Sequence, residues 1–380
     1  MRIAIFTDTY VPEVNGVAKT LKRFTDYLSD QNIEYKVFAP QSRKVDMFSN
    51  HVYSIKSFPF FLYPECRVAF PNLLQLREEV KLFNPDIIHV TTPFNMGLSG
   101  LHLAKRLKIP VVGSYHTDFD KYLEYYDLHF LMDMLWKYMR WFHDPLRKIF
   151  VPSMDTLEKL QHKGFRNLSI WPRGIDATVF HPNYDAEVIR EKYNIKEKYI
   201  LAYVGRIAKE KDVLLLPEIA EKLPNHVKDN VHWLIAGDGP VKDELEQMAP
   251  SNMTFAGFVE GENLANIYAA ADLFVFPSPT ETFGNVVLEA LACGTPVIGA
   301  DAGGVRSIVK SGINGILCEE KDTTDFVQAI VSLLSRENAR KVMSENGVRY
   351  AQAQSWDKIF RNLLMEYEDA LDDEPIRELA

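Results

Sequence analysis

A short apolar run followed by a helix-length amphipathic segment recurs along this chain and restarts once near its middle. That alternation constrains the fold more than any other feature. Ile3–Thr7 (IAIFT), Tyr35–Ala39 (YKVFA), Asp86–Val90 (DIIHV), Pro110–Ser114 (PVVGS), Lys148–Val151 (KIFV) and Leu168–Trp171 (LSIW) read as strands. Between the first two, Val17, Leu21, Phe24 and Leu28 repeat at helical spacing. Runs that are apolar throughout, rather than alternating, belong to strands buried on both faces. They require a mostly parallel sheet covered by helices on each side.

The pattern begins again at Tyr199, where YILAYVG, VHWLIAG, MTFAG, DLFVFP and TPVIGA carry it to Ala300. The intervening HPNYDAEVIREKYNIKEK (His181–Lys198) is polar and marks the boundary. With 380 residues to distribute, the chain exceeds what one hydrophobic core usually supports. The expected fold class is therefore α/β, with two facing Rossmann-like domains. Such sheets bind ligands beyond the carboxyl ends of their strands, so two of them would enclose an interdomain cleft. The last segment places Trp356, Ile359, Leu363 and Leu364 on one helical stripe, followed by an acidic stretch from Glu366 to Glu374 that reads as a solvated end.

A formal charge of −9 argues against indiscriminate nucleic-acid binding. Cys66, Cys293 and Cys318 have no metal-ligand spacing and read as small buried side chains in a reducing compartment. The start, MRIAIFTDTY, turns polar too soon for a signal peptide, and no run reaches membrane-spanning length. These features place the chain in the cytoplasm, with peripheral attachment to the cytoplasmic membrane face open. Aromatics interleave with Lys137, Arg140, Arg147 and Lys148 along Trp136–Lys148. That composition suits an anionic membrane surface, an interface helix or an amphipathic helix packed on its own domain.

The candidate chemistry lies at strand exits. Arg206 and Lys211 follow a strand in VGRIAKEKD; a planar fork beside a movable point charge suits a diphosphate, and ordinary surface cations are the plain alternative. Gly205 precedes that arginine, and Gly237 opens AGDGP, which is either a tight turn or a place where a ligand meets backbone. The first strand leads through DTYVPEVNG to Asn15 and Gly16, where a glycine admits a phosphate or sugar to a helix amino terminus. No dinucleotide fingerprint or lysine-ended phosphate loop is present, which excludes the usual NAD enzymes and ATPases. SYHTDFDKY sets His116, Asp118 and Tyr122 past another strand; His116 suits a sugar hydroxyl or simple packing.

The most informative stretch is SPTETFGNVVLEALACGTPVIG, Ser278–Gly299. Glu281 and Glu289 flank Phe283 and Gly284, and a helix is expected to begin near Gly284 or Asn285. The N–H groups of Asn285, Val286 and Val287 then offer themselves to phosphate oxygens. Glutamates beside a phosphate serve better as acceptors from sugar and ribose hydroxyls.

The NG loop, the HTDF segment, the GRxxxxK element, the GDGP turn and the Glu–seven residues–Glu pattern, which follow one another in that order along the chain, resemble the retaining glycosyltransferases of GT-B type, family 4. The FGNVVLEA and RGID wording is similar to bacterial GDP-mannose-dependent mannosyltransferases and related glycolipid glycosyltransferases. The resemblance spans nearly the whole chain. It implies an acceptor-binding domain of residues 1–185 joined by a returning terminal helix, 356–380, and a donor domain of residues 186–355. It further implies a nucleotide-sugar co-substrate (GDP-mannose or a UDP-hexose), no tightly bound metal or cofactor, and a lipid or saccharide acceptor. Arg206 and Lys211 would hold the diphosphate, Glu289 the ribose, and Glu281 the sugar beside Phe283 and Gly284. Gly16 would approach the diphosphate across the cleft, and His116 would touch the transferred sugar, with Asn15, Asp118 and Tyr122 on the acceptor side. Where the family has glycine after the lysine, this chain has Asp212. The alternatives are a UDP-sugar enzyme acting on a glycolipid or small molecule, and a catalytically silent binding or assembly protein.

Overall fold

The structure, a computed structural model, describes residues 1–13, 15–41, 51–60, 63–118, 120, 123–124 and 128–372, with backbone alone over 59–68. The chain divides into two compact units: Met1–Thr117, Phe130–Pro172 and Asp357–Ala380 make one, and Asp118–His129 with Arg173–Trp356 make the other.

In the first unit, strands β1 (Arg2–Phe6), β2 (Glu34–Pro40), β3 (Val52–Ile55), β6 (Ile87–Val90), β7 (Val111–Ser114), β8 (Ile149–Val151) and β9 (Leu168–Ile170) form a seven-stranded sheet in the order β3-β2-β1-β6-β7-β8-β9. Every pairing in it is parallel, beginning with Ile3 opposite Tyr35 and Ile87. A separate antiparallel pair joins β4 (Ser57–Phe60) to β5 (Tyr63–Ala69). The second unit holds β10 (Tyr199–Val204), β11 (Val231–Ala236), β12 (Met253–Gly257), β13 (Leu273–Phe276), β14 (Val297–Ala300) and β15 (Gly315–Cys318), ordered β12-β11-β10-β13-β14-β15 and again parallel. Both sheets have the alternating connections that periodicity calls for. The strands of these sheets that periodicity omits, β3 and β15, are outermost and only part-buried.

The terminal helix, Trp356–Asp372, buries Ile359, Phe360, Leu363, Tyr367 and Ala370 in the first unit. Tyr367 Oη lies 2.5 Å from His89 Nδ1, and His89 Nε2 lies 2.6 Å from Ser114 Oγ, so a fully buried polar chain ties helix to sheet. Burial pushes the His89 imidazole down to about 3, holding it neutral. One expectation changes here. The acidic end is not simply solvated, because Glu366 and Asp369 pair with Lys148, and Arg147 donates to the Ala370 carbonyl at 2.6 Å. Along Trp136–Lys148, Trp136 is packed inward, 7% exposed, edge-on to Phe165 at 6.1 Å and covered by Lys159 and Lys163. Its helix, Met132–His143, turns Met134 and Trp141 outward. No helix among the described residues is long and apolar enough to cross a membrane.

The core of the second unit is aromatic at its centre. Tyr203, Trp233, Tyr268, Phe274 and Phe276 are buried, with Phe274 and Phe276 stacked at 5.5 Å. The rings fix the strands whose carboxyl ends carry the candidate residues.

Candidate functional site

In a parallel sheet all strands deliver their following loops to one edge. In the second unit that edge receives Gly205 and Arg206 after β10, Gly237 after β11, Ser278–Glu281 after β13 and Gly303–Gly304 after β14. Sequence order thus becomes spatial neighbourhood.

The loop after β10 closes on itself through a short turn, Lys209–Lys211. Tyr203 Oη donates to the Arg206 carbonyl at 3.0 Å, and the Ile207 N–H donates to Asp238 O at 2.9 Å. Asp212 ends the turn with φ 47°, a left-handed conformation that glycine adopts without strain and aspartate tolerates. The departure from glycine therefore leaves the turn intact. Lys211 Nζ reaches Glu281 Oε1 at 2.5 Å and Thr280 Oγ1 at 3.4 Å, with both charged side chains largely buried. Lys211 is consequently no ordinary surface cation. The Arg206 guanidinium stands 3.9 Å from the Glu210 carboxylate.

The glycines of GDGP have a local explanation. A Cβ on Gly237, whose φ is 149°, would lie 1.9 Å from the Gly205 carbonyl oxygen, and one on Gly239 would lie 2.3 Å from Ile207 O. Neighbouring strand exits are packed backbone to backbone, laced by Gly237 N–H to Gly257 O at 2.8 Å.

After β13 the helix spans Asn285–Ala292, with Gly284 at its N-cap in left-handed backbone. Glu281 therefore lies in the loop and Glu289 within the helix, as the sequence indicates. Asn285 and Val286 occupy the first turn, but Val287 differs from expectation: its N–H donates to Gly284 O at 3.0 Å. Tight first-turn geometry has already occupied that donor. Phe283 is buried, and its backbone packs on Gly304, where a Cβ would come within 2.3 Å of the Phe283 carbonyl oxygen. The Gly304 N–H donates to Glu281 O at 2.6 Å, so the Gly303–Gly304 pair holds the glutamate loop from beneath. Tyr268 Oη donates to Glu289 Oε2 at 3.1 Å. Burial, then the Glu289 charge, drive the Tyr268 phenol well above its usual range, so it stays a donor.

Sequence reasoning missed Tyr268, Glu210 and the Gly303–Gly304 pair. Only the glycine dipeptide at a strand exit carried a local signal.

In the first unit, Asn15 caps the helix Gly16–Asp30 by accepting from the Ala18 N–H at 2.9 Å, and its Nδ2 donates to Thr9 Oγ1 at 2.7 Å. Gly16 is exposed at the first helical position. The carboxylate of Asp8, also missed, accepts from Thr92 Oγ1 at 2.6 Å and from the Met96 N–H at 2.9 Å. It satisfies the amino end of helix Asn95–Leu107, whose own N-cap, Phe94, has no side-chain oxygen. Burial raises its carboxyl to about 6 despite these bonds. His116 packs edge-on to Trp171 at 5.4 Å. Asp118 is buried and falls in the second unit, and Tyr122 lies outside the described residues. Among the described residues no cluster of His, Cys, Asp and Glu could hold a metal ion.

Two parallel-sheet Rossmann-like units, the second edged with cations and carboxylates, define a glycosyltransferase architecture of GT-B type. Residues 185–350 match the family model described as glycosyl transferases group 1, and residues 14–179 match that of glycosyltransferase family 4. A GDP-mannose-dependent alpha-mannosyltransferase of Mycobacterium tuberculosis is 30% identical over 97% of this chain and 96% of its own length. An alpha-monoglucosyldiacylglycerol synthase of Streptococcus pneumoniae is 33% identical over 78% of this chain and 70% of its own length. The solved structure of a sucrose-phosphate synthase from Thermosynechococcus elongatus superimposes with a TM-score of 0.81 at 20% identity, covering 97% of this chain and 98% of that one. The chain belongs to glycosyltransferase family 4. It is a hexosyltransferase by that membership.

Proposed function

We propose that the protein transfers mannose from GDP-mannose, with retention of configuration, to a lipid-linked or saccharide acceptor. The observation that carries the reading is the end-to-end similarity to GDP-mannose-dependent relatives, here 30% over 97% of the chain. In this reading the second unit binds the donor. Arg206 and Lys211 take the diphosphate, Glu289 accepts from the ribose, and Glu281 accepts from sugar hydroxyls beside the Phe283–Gly284 backbone, with Asn285 and Val286 offering N–H groups. Gly205 and Gly237 form the floor beneath the nucleotide. The first unit, with its terminal helix, receives the acceptor; Gly16 meets the diphosphate, His116 the transferred sugar and Asn15 the acceptor, joined on the acceptor side by Tyr122 and by Asp118, which belongs to the second unit.

The chemistry proposed is front-face attack. The acceptor oxygen bonds to the anomeric carbon as the bond to the nucleotide phosphate breaks, and the departing phosphate oxygen takes the acceptor proton. Arg206 and Lys211 offset the charge that develops on the leaving diphosphate, an interaction strongest in the transition state. A panel of GDP- and UDP-sugars, screened by thermal shift and then by turnover, tests the donor. Proton NMR of the product tests retention, and a β-linked mannoside would refute it.

A second reading, a UDP-hexose donor and a glycolipid acceptor, is favoured by the 33% identity to the glucosyldiacylglycerol synthase. Preference for UDP-glucose in the same panel would establish it. Either acceptor class is compatible with docking at an anionic bilayer. Trp141, 60% exposed, and Met134 project from Met132–His143 beside the exposed Lys137 and Arg140. Flotation with liposomes containing anionic lipid tests that docking; recovery that does not depend on lipid charge counts against it.

A further inference from the structure

We infer that Glu210 is a positioning residue that aims the Arg206 guanidinium at the donor's diphosphate, an inference resting on the reading of Arg206 given above. Glu210 is 1% exposed, yet neither of its carboxylate oxygens has a hydrogen-bond partner among the described residues. A buried carboxylate left so is costly, and folding alone gives no reason to keep it. Its placement is nonetheless well fixed. The Glu210 carbonyl accepts from Thr280 Oγ1 at 2.8 Å, and the next residue, Lys211, is bound to Glu281. The turn Lys209–Lys211 thus directs consecutive side chains to different tasks, Lys211 to the glutamate loop and Glu210 beneath Arg206.

The Arg206 guanidinium stands beside it, with Nη1 3.9 Å from Glu210 Oε1. At that separation charge attraction orients the guanidinium while the carboxylate takes no hydrogen bond from it. The arginine side chain is 32% exposed, and it follows β10 at the edge of the sheet that receives the strand exits. Backbone anchoring completes the aim, since the Arg206 carbonyl accepts from both Tyr203 Oη and the Ala208 N–H. A fork fixed in direction before the diphosphate arrives lowers the ordering cost at the moment charge develops.

The test is a double-mutant cycle on the full chain, with turnover measured on GDP-mannose, or on UDP-glucose if the donor panel selects it. Glu210→Gln keeps shape and removes charge. It is expected to lower kcat/KM about tenfold, mainly through kcat, when Arg206 is present, and to change it less than about twofold in the Arg206→Ala background. Its melting temperature should hold or rise, because an unbonded buried charge is gone, and Glu210→Asp should recover part of the lost turnover. Equal losses in both backgrounds, or a fall in melting temperature that accounts for the lost activity, would identify a structural residue and overturn the inference. So would unchanged turnover in Glu210→Gln while Arg206→Ala is impaired. Unchanged turnover in Arg206→Ala would remove the reading of Arg206 itself, and with it the role of Glu210.

Discussion

Lys211 Nζ lies 2.5 Å from Glu281 Oε1, so the cation proposed for the diphosphate and the carboxylate proposed for the sugar hold each other. Both are mostly out of solvent, with side-chain exposures of 15% and 21%, so their attraction is only weakly screened. A donor that engages both competes with this pair: the diphosphate draws on Lys211, and the sugar on the carboxylate. Glu281→Gln is therefore expected to bind nucleoside diphosphate about fivefold more tightly, because Lys211 no longer has a competing anion. The same variant should lose turnover, because the sugar has lost its acceptor. Isothermal titration with GDP and UDP checks the first half; equal or weaker binding would show that the pair does not compete with the diphosphate.

Tyr268 supports the other glutamate. It is fully buried and donates to Glu289 Oε2 at 3.1 Å, which fixes the carboxylate proposed for the ribose. Tyr268→Phe leaves the ring and removes the bond. The expected outcome is a rise of about three- to tenfold in donor KM with kcat nearly unchanged, the pattern of lost uniform binding. A matching fall in kcat would assign Tyr268 to the chemical step instead.

These relationships show what the linear sequence carries and where it stops. Strands buried on both faces announce themselves through unbroken apolar runs, and β1, β2, β6, β10, β11 and β13 were legible for that reason. β15, the four-residue GILC at the sheet's end, with Ile316 and Leu317 only part-buried, went unread although it is apolar. The placing of Glu281 in a loop and Glu289 in a helix followed from Gly284, which takes left-handed backbone at the cap. The readings of Trp136–Lys148 stayed open in the sequence because composition alone cannot tell which face of Met132–His143 turns inward. Glu210 was illegible because an EK dipeptide after a strand looks solvated. Only the tertiary turn reveals that its first member is buried and its second paired.

The backbone packing of the donor-side loops makes a stability prediction. Gly237→Ala sets a Cβ 1.9 Å from the Gly205 carbonyl oxygen at a φ of 149°, so both sterics and backbone conformation oppose it. Gly261→Ala is the control, because its φ of 62° imposes backbone strain while nothing lies within 4 Å of the added methyl. The control should lose about 1 kcal/mol and Gly237→Ala about 3 kcal/mol or more. Urea denaturation followed by tryptophan fluorescence, with Trp233 buried in the second unit, reads the difference. Similar losses in both variants would mean that the strand exits are not as tightly laced as described.

Two buried groups in the first unit give opposing responses to acid. His89 is held down to about 3 by burial from a usual 6.5, so the unfolded chain binds its proton first. Stability falls as pH drops below 6.5, by about 1.4 kcal/mol per unit until the folded value is reached. Asp8 is raised by burial from 3.8 to about 6, so here the folded chain binds the proton first. Its contribution is fully present below 3.8 and is lost as pH rises through 6. Between about 4 and 6 the two slopes offset each other, and below 3.8 only the loss from His89 continues. Asp8→Asn retains an oxygen for the Met96 N–H but no longer titrates. Its stability should therefore fall with acid more steeply than the wild type's between pH 6 and 4, by about 1.4 kcal/mol per unit. Urea titrations at half-unit steps, compared between the two proteins so that all other groups cancel, measure that difference in slope. Parallel curves would mean that the Asp8 carboxylate keeps an ordinary affinity for its proton in the folded chain.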